Sequence, residues 1–447
     1  MLNKKKSLNE NRRDFMKQSS LLAGGLIAAP LLSNANFYSG ASDVIKVALI
    51  GCGGRGTGAA TQALLSKQNI KIVAMADAFR DRIDRSYKEL TADDMSDSGI
   101  KGNFKAMIDV PEERKFVGFD GYLKAIPLAD VVILTTPPGF RPIHFEEAVK
   151  QNKHIFMEKP VATDPEGIKK VLAAAEIAKS KKLNVVVGLQ RHYQNSYREL
   201  FKRKDMIGDI TSAQAWWNND GVWVNERKEG MTEMEYQMRN WYYFNWLCGD
   251  HINEQHIHNI DVINWFKGGH PVKAQGFGGR EVRKGKDHGE IFDHHFVEFH
   301  YADGSILNSQ CRHMPKTSSK VDELLIGTKG KIYCGAANIR DHKGNIMYQF
   351  DKKTENNGYQ NEHDELFAAI AKGEYKFADA ENGAHSTMTS ILGRMATYSG
   401  QVIEWDKALN CGQNLQPSAY TWDTLPKSLP DENGKYKVAV PGVTKFY

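Results

Sequence analysis

Cysteine is scarce in this chain: Cys52, Cys248, Cys311, Cys334 and Cys411 are the five among 447 residues. An odd, scattered set offers no disulfide framework and no CxxC knot for a metal. A surplus of one charge is lacking as well. The formal net charge is +5, and residues 1–35 carry +4 of it, with four Lys and two Arg against Glu10 and Asp14. The remaining residues are close to neutral, which excludes a basic nucleic-acid surface, so no nucleic-acid partner is expected. Long apolar runs are missing too. The mild stretch Leu21–Leu32 falls short of a membrane crossing, and no span is expected in the mature protein. Internal repeats and low-complexity tracts are absent, which sets aside solenoids and repetitive disordered arrays.

The composition is that of an ordinary soluble protein, 41% hydrophobic and 25% charged. A chain this long exceeds what one core usually organises, so two domains are expected. Its first residues read NRRDFMKQSSLLAGGLIAAPLLSNA. Arg12 and Arg13 precede Phe15 and Lys17, an apolar run comes next, and Ser33-Asn34-Ala35 offers a small-residue cleavage site. Residues 1–35 resemble a twin-arginine export signal, which implies a periplasmic protein that folds before it crosses the membrane.

From Asp43 the texture changes. Apolar runs at Val44–Ile50, Ile70–Ala76, Val131–Thr135, His154–Met157 and Asn184–Gly188 alternate with helix-compatible stretches, one opening at Pro165. Short buried strands alternating with helices predict an α/β architecture with a doubly wound parallel sheet over residues 43–188. Residues 92–118 break the rhythm and read as a surface insertion. Beyond about residue 195, strand-like segments joined at Asp303-Gly304 and Lys329-Gly330 predict an antiparallel sheet, with late helices at Glu362–Ala371 and Asn382–Tyr398. This second domain is expected over residues 189–415, and the proline-bearing residues 416–447 as an extended arm.

Gly51-Cys52-Gly53-Gly54-Arg55-Gly56 fits GxGxxG between a strand and a helix. Gly51 permits the tight turn, Gly53 lets backbone approach a pyrophosphate, and Gly56 lets helix and strand pack closely. The helix then offers free N–H groups and the positive end of its dipole to the phosphates. Asp77 closes the second strand, where a carboxylate accepts from both ribose hydroxyls and repels a 2′-phosphate. NAD is expected, with NADP less favoured, although Arg80 and Arg82 stand nearby.

The strand His154–Met157 delivers Glu158-Lys159-Pro160 at its carboxyl end, where open α/β sheets place their ligands. Lys159 could hold a substrate hydroxyl there, or form a solvated salt bridge with its neighbour. The segment GDHINEQHIHNIDVINWF reads as one helix with Asp250 as N-cap. His251, Glu254, His258 and Asp261 then share one face, while Ile252, Ile260, Ile263 and Phe266 lie nearer the other. Such a row serves acid–base chemistry or simply faces solvent. His251, Glu254 and His258 are also possible zinc ligands, but HExxH spacing is absent and no metal is expected. Trp216, Trp217, Trp223, Tyr236, Trp241, Tyr242, Tyr243 and Trp246 could stack on sugar rings or fill a core. Arg191 and His192, just after a strand, are placed to reach a substrate.

Taken in order, the glycine turn, TTPP at Thr135–Pro138, His144, EKP at 158–160, GLQRHY at Gly188–Tyr193, HNIDVINW at 258–265 and the late block GAHSTMTSILGRMATYSG resemble the Gfo/Idh/MocA oxidoreductases from residue 43 onward. The resemblance implies a Rossmann domain followed by an α/β domain with a large open sheet, whose face commonly forms a homo-oligomer, here a dimer or tetramer. It implies reversible oxidation of a secondary hydroxyl on a sugar, glycoside or cyclic polyol with NAD, the small-molecule carbohydrate being the partner. Thr136 and Glu158 would join Gly51, Gly53, Gly56 and Asp77 around the cofactor. Lys159, Glu254 and His258 would be catalytic, His258 as general base. Two other readings are an NAD-retaining glycosidase working by transient ring oxidation and elimination, and a non-catalytic sugar or nucleotide sensor on the same fold.

Overall fold

The computed structural model describes residues 44–92 and 104–445. The expected export signal lies outside the described residues. Six strands form the first sheet: β1 Ile45–Ile50, β2 Ile70–Asp77, β3 Lys115–Val117, β4 Val131–Leu134, β5 His154–Met157 and β6 Val185–Val187. They lie in the order β3-β2-β1-β4-β5-β6, every pair parallel. Val47 to Ile50 and Val131 to Leu134 are buried on both faces, which is why these strands read as continuous apolar runs rather than alternating ones. Helices α1 Gly54–Leu64, α2 Arg80–Leu90, α3 Arg141–Lys150 and α4 Pro165–Ser180 join them. Helix α4 starts as its sequence demands, with Asp164 Oδ1 accepting from Gly167 N at 2.7 Å and Pro165 in the first turn.

The expectation of a surface insertion over residues 92–118 needs correction from residue 104 on, residues 93–103 lying outside the described residues. Phe104 and Val110 are buried in the core, and residues 115–117 form β3 at the sheet edge beside β2. Three residues set among charges, PEERKFVGFD, are too short to show a strand period.

The second sheet has nine strands. These are β7 Ile210–Asn219, β8 Lys273–Gly279, β9 His294–His300, β10 Ile306–His313, β11 Lys320–Gly327, β12 Gly330–Tyr333, β13 Asn338–Asp341, β14 Ile346–Gln349 and β15 Ile403–Glu404, in the order β14-β13-β12-β11-β7-β10-β9-β8-β15. Only the β7–β10 pair is parallel, so the sheet is mainly antiparallel as expected. One face packs under α5 His251–Glu254, α6 Ile257–Lys267 and α8 Ala380–Ser399, while α7 Gly358–Ala371 lies against α1. Helix α8 is buried almost throughout. It tolerates Thr387, Thr389, Ser390 and Thr397 because each hydroxyl donates to the carbonyl one turn back, at 2.7 to 3.2 Å.

The single helix expected over 250–266 is in fact two. The carbonyl of His251 accepts from both Gln255 N at 3.0 Å and His256 N at 3.1 Å. One extra residue enters that turn, and every later side chain is rotated by about 100° from the regular face. The expected row of His251, Glu254, His258 and Asp261 is thereby divided. Past Asn410 the chain has no helix or strand and runs along the body to residue 445.

Candidate active site

The glycine turn is built by exclusion. Gly51 has φ +96°, and a Cβ there would sit 2.5 Å from Thr136 N. A Cβ on Gly56 would lie 1.9 Å from Gly51 O, so neither position accepts a side chain. Gly53 and Gly54 differ: nothing of the protein lies within 4 Å of their would-be Cβ atoms. Helix α1 opens there with no side-chain cap and no acidic residue in its first turn. Bare amides facing open space suit a diphosphate. Thr135 Oγ1 donates to Gly51 O at 2.6 Å and locks the turn to the end of β4.

Asp77 stands beside this turn. Its Oδ2 accepts from Cys52 N at 2.7 Å and its Oδ1 from Phe79 N at 2.9 Å. Burial raises its pKa, and those two amide bonds pull it part of the way back. Each oxygen keeps a lone pair for a ribose hydroxyl. Turn, uncapped helix and carboxylate together fit NAD.

Three further groups, Arg141, His144 and Arg55, fix the ends of β4 and β5. Arg141 is buried; its Nε donates to Glu158 O at 2.9 Å and its Nη2 to Thr136 O at 2.7 Å. Burial lowers its pKa to about 10. His144 Nδ1 meets Thr136 Oγ1 at 3.2 Å, and burial followed by the Arg141 charge holds the ring neutral, with a pKa of about 3. Arg55, inside the glycine turn, donates from Nε to Glu158 Oε1 at 2.5 Å and reaches Glu362 Oε1 on α7 at 3.5 Å. Thr136 and Glu158 thus lie against the turn, Glu158 as the counter-ion of Arg55. Its carboxylate needs Gly188, where a Cβ would come within 2.8 Å of Oε2.

Lys159 and Glu254 meet. Lys159 Nζ donates to Glu254 O at 2.5 Å and to Glu254 Oε1 at 3.0 Å, and the two side chains are 12% and 13% exposed. Burial raises the Glu254 pKa, opposed by the Lys159 charge. The Tyr242 hydroxyl is buried beside Glu254, and burial, then the Glu254 charge, raises its pKa. His258 lies under Trp217, ring centroids 5.9 Å apart, and its buried Nδ1 has no hydrogen-bond partner. Burial, then the charges of Lys159, Arg191 and Arg55, push its pKa well below 6.5. The result is a neutral imidazole with an unused lone pair in a field of cations. Glu254 spends its bonding on Lys159.

Arg191 and His192 are engaged by protein. Arg191 Nη1 pairs with buried Glu323, which also accepts from Tyr197 Oη at 3.0 Å and Asn259 Nδ2 at 2.6 Å. His192 Nε2 meets Asp261 Oδ2 at 2.7 Å, and its ring stacks on Trp265 with centroids 4.1 Å apart. Burial opposes the charged ring, yet Asp261 outweighs it and raises the His192 pKa. Asp261 also accepts from Asn382 and Ser386. His251 faces away from the Lys159 group. Its Nδ1 lies 2.8 Å from Asp250 Oδ1, while Asp250 Oδ2 accepts from Phe292 N and Tyr398 Oη. Among the described residues, the His, Cys, Asp and Glu side chains close enough to share an ion are Asp250, His251 and His295, a different set from the His251, Glu254 and His258 weighed as zinc ligands in the sequence. Bonds from four donors already fill the Asp250 carboxylate. Of the aromatics, Tyr236, Tyr242, Tyr243 and Trp246 fill a core, and Trp217 alone stacks on a candidate catalytic residue.

Residues 45–189 match GFO_IDH_MocA, the oxidoreductase family with an NAD-binding Rossmann fold. An inositol 2-dehydrogenase from Gluconacetobacter diazotrophicus is 29% identical over 168 residues, 37% of this chain and 43% of that protein. The chain therefore spans under half the length of that curated relative. Among solved structures, scyllo-inositol dehydrogenase from Lactobacillus casei with bound NAD(H) and scyllo-inositol superposes with TM-score 0.60 at 19% identity, covering 81% of this chain and 100% of that one. Aldose-aldose oxidoreductase from Caulobacter crescentus complexed with glycerol gives TM-score 0.61 at 15% identity over 81% of this chain and 100% of that one. Residues 45–189 thus match that family's NAD-binding Rossmann domain, and the six parallel strands show the same fold.

Proposed function

We propose that the chain is an NAD-dependent oxidoreductase that oxidises, reversibly, a secondary hydroxyl of a sugar, glycoside or cyclic polyol. The observation that carries this reading is the cluster of Lys159, Glu254 and neutral His258 at the carboxyl end of β5, beside an open glycine turn. NAD, when bound on that turn, supplies the two-electron acceptor for the hydride that leaves the carbinol carbon. Lys159 Nζ can donate to the substrate oxygen and favour its deprotonation, and Glu254 keeps that ammonium in place. The ring of His258, kept neutral by its surroundings, takes the hydroxyl proton. Arg191 and His192, each tied to a carboxylate, line the approach and position Asn259 and Asp261 rather than swing freely toward substrate.

Place and assembly belong to the same proposal. The twin arginines Arg12 and Arg13 support export to the periplasm after folding. The outer face of the nine-stranded sheet, with Phe277 65% exposed, supports a homodimer or homotetramer. The test is turnover on a panel of inositols, aldoses and their methyl glycosides, read as NADH formed per ketone formed. Equal accumulation of both products is expected for at least one substrate. Bound NAD with sugar release and no NADH would replace the dehydrogenase reading.

A further inference from the structure

The carboxyl ends of the Rossmann strands are not all open. Asp77 ends β2, and Phe79 comes two residues later. Phe119 stands two residues past β3, and Phe140 comes after the Thr136–Pro138 corner that ends β4. Onto these three rings the chain lays its last segment. Trp422 lies 5.1 Å from Phe79 and 4.6 Å from Phe119, and Tyr420 lies 5.2 Å from Phe140, centroid to centroid. Arg239 adds a cation 3.7 Å from the Phe79 ring centroid and an ion pair with Asp81 at 2.9 Å.

The segment is tied down on either side of Trp422. Leu415 N donates to Asp164 Oδ2 at 2.8 Å, and Gln416 Nε2 donates to Thr163 Oγ1 and to Trp246 O, both at 3.1 Å. Farther on, Gln237 Nε2 donates to Ser428 O at 2.7 Å, and Arg227 Nη2 to Tyr436 Oη at 2.9 Å. Trp422 crosses between these anchors on ring contacts and stays half-buried, with part of the indole uncovered. A solvent-facing tail has no need of such a ring at the mouth of a nucleotide fold.

The sheet order tells which half of a dinucleotide this is. The diphosphate belongs on the turn after β1, and the ribose carboxylate is Asp77 on β2. The adenosine half therefore lies toward β2 and β3, and the reacting half toward β4 and β5, where Lys159 stands. Trp422 stands over the first, while Tyr420, Gln416 and Leu415 rest on residues that follow β4 and β5. We propose that residues 415–436 form a cofactor strap in which Trp422, with Phe79 and Phe119, gives the adenine ring of NAD its stacking platform, so that the cofactor is retained while substrates exchange. This strap rests on the NAD-dependent reading of the site. A purine offers a π face to any such platform, and the strap must lift before the nucleotide leaves.

The experiment compares the full chain with Trp422→Ala and Trp422→Phe, titrated calorimetrically with NAD and with ADP-ribose, which has the adenosine half but no nicotinamide. Release of bound NAD is timed by gel filtration, and thermal unfolding reports the fold. Losing one stacking ring should weaken both ligands by the same factor, roughly 10- to 100-fold. NAD release should speed up in proportion, and Trp422→Phe should recover most of the loss at unchanged melting temperature. Unchanged affinities in Trp422→Ala overturn the strap and leave the NAD reading standing, as does a loss confined to NAD with ADP-ribose unaffected. A wild-type chain that binds neither ligand removes both.

Discussion

At the residue scale the decisive feature is a histidine kept neutral by burial and, after it, by nearby cations. Burial and three positive neighbours hold the His258 pKa well below 6.5. A base works only when unprotonated, so the acid limb of the rate profile should lie below pH 6.5 rather than at it. His258→Ala should lower turnover by about 10²- to 10⁴-fold, the usual span for a lost general base, and should abolish that limb. NAD affinity should hold, because the ring is on α6 and not on the glycine turn. Stopped-flow hydride transfer at near-normal rate in the variant would take His258 out of the chemistry. Lys159→Met makes a second prediction, this one in stability. It strands the Glu254 carboxylate, whose folded pKa is already raised by burial. A carboxyl with a raised folded pKa is fully accommodated below its unfolded pKa of about 4.5, and the cost grows as pH rises through the folded value. The variant should therefore match wild type in urea at about pH 4 and fall behind it at about pH 7. Equal midpoints at both pH values would mean that Glu254 does not depend on Lys159. Glu254 and His258 are legible as residues because the sequence carries them in a recognisable block. Arg55, Arg141 and Glu362 are not, since each acquires its meaning from a partner that local spacing does not announce. The Arg55–Glu362 pair, for instance, spans 307 positions.

At the scale of elements, the glycine turn separates two kinds of glycine. Gly56→Ala drives a Cβ to 1.9 Å from a backbone oxygen, so α1 must move off β1. Overpacking of this kind costs about 1–3 kcal/mol, more where backbone is the obstacle. At Gly53 a Cβ would meet no protein atom within 4 Å, so Gly53→Leu should leave the melting temperature nearly unchanged while NAD binding is lost. Differential scanning fluorimetry with and without NAD reads both. A Gly53→Leu protein still stabilised by NAD would move the diphosphate elsewhere. The β1 strand, the glycine turn and Asp77 are readable in advance because a buried parallel strand, a tight turn and a helix start each leave a local mark. The break at Gln255–His256 leaves none. Its cause is tertiary: Asp250 is held by Phe292 N and Tyr398 Oη, His256 Nε2 lies 2.7 Å from Ser309 Oγ, and the backbone between adds a residue to reach both. Helical periodicity alone can only draw that stretch straight. The same limit applies to β3, which is a strand because β2 is beside it.

For the whole molecule, the open face of the nine-stranded sheet is the feature that a monomer leaves unexplained. Along one cross-strand row, Phe277 of β8 stands opposite Phe296 of β9, Phe296 opposite Gln310 of β10, Gln310 opposite Trp216 of β7, and Trp216 opposite Asp322 of β11. Their strand neighbours Val297, Cys311 and Ala215 point the other way into the core, so this row faces out. Phe277 and Phe296 stack with centroids 5.1 Å apart, and Phe277 remains 65% exposed. A flat, partly aromatic face is well suited to a second copy of itself, and a stable interface needs about 800 Å² from each partner. If this face pairs, the native protein should show twice or four times the chain mass by light scattering. Phe277→Asp would place a carboxylate in the middle of an apolar contact and should shift the population to the smaller species by about tenfold or more. An exposed position carries little of the monomer's own stability, so the melting temperature measured at high dilution should change by no more than that of any surface substitution. Bound NAD should remain with the smaller species, because the glycine turn belongs to the other sheet. A wild type that is monomeric at micromolar concentration, or a Phe277→Asp variant with unaltered mass, would free this face from any role in assembly.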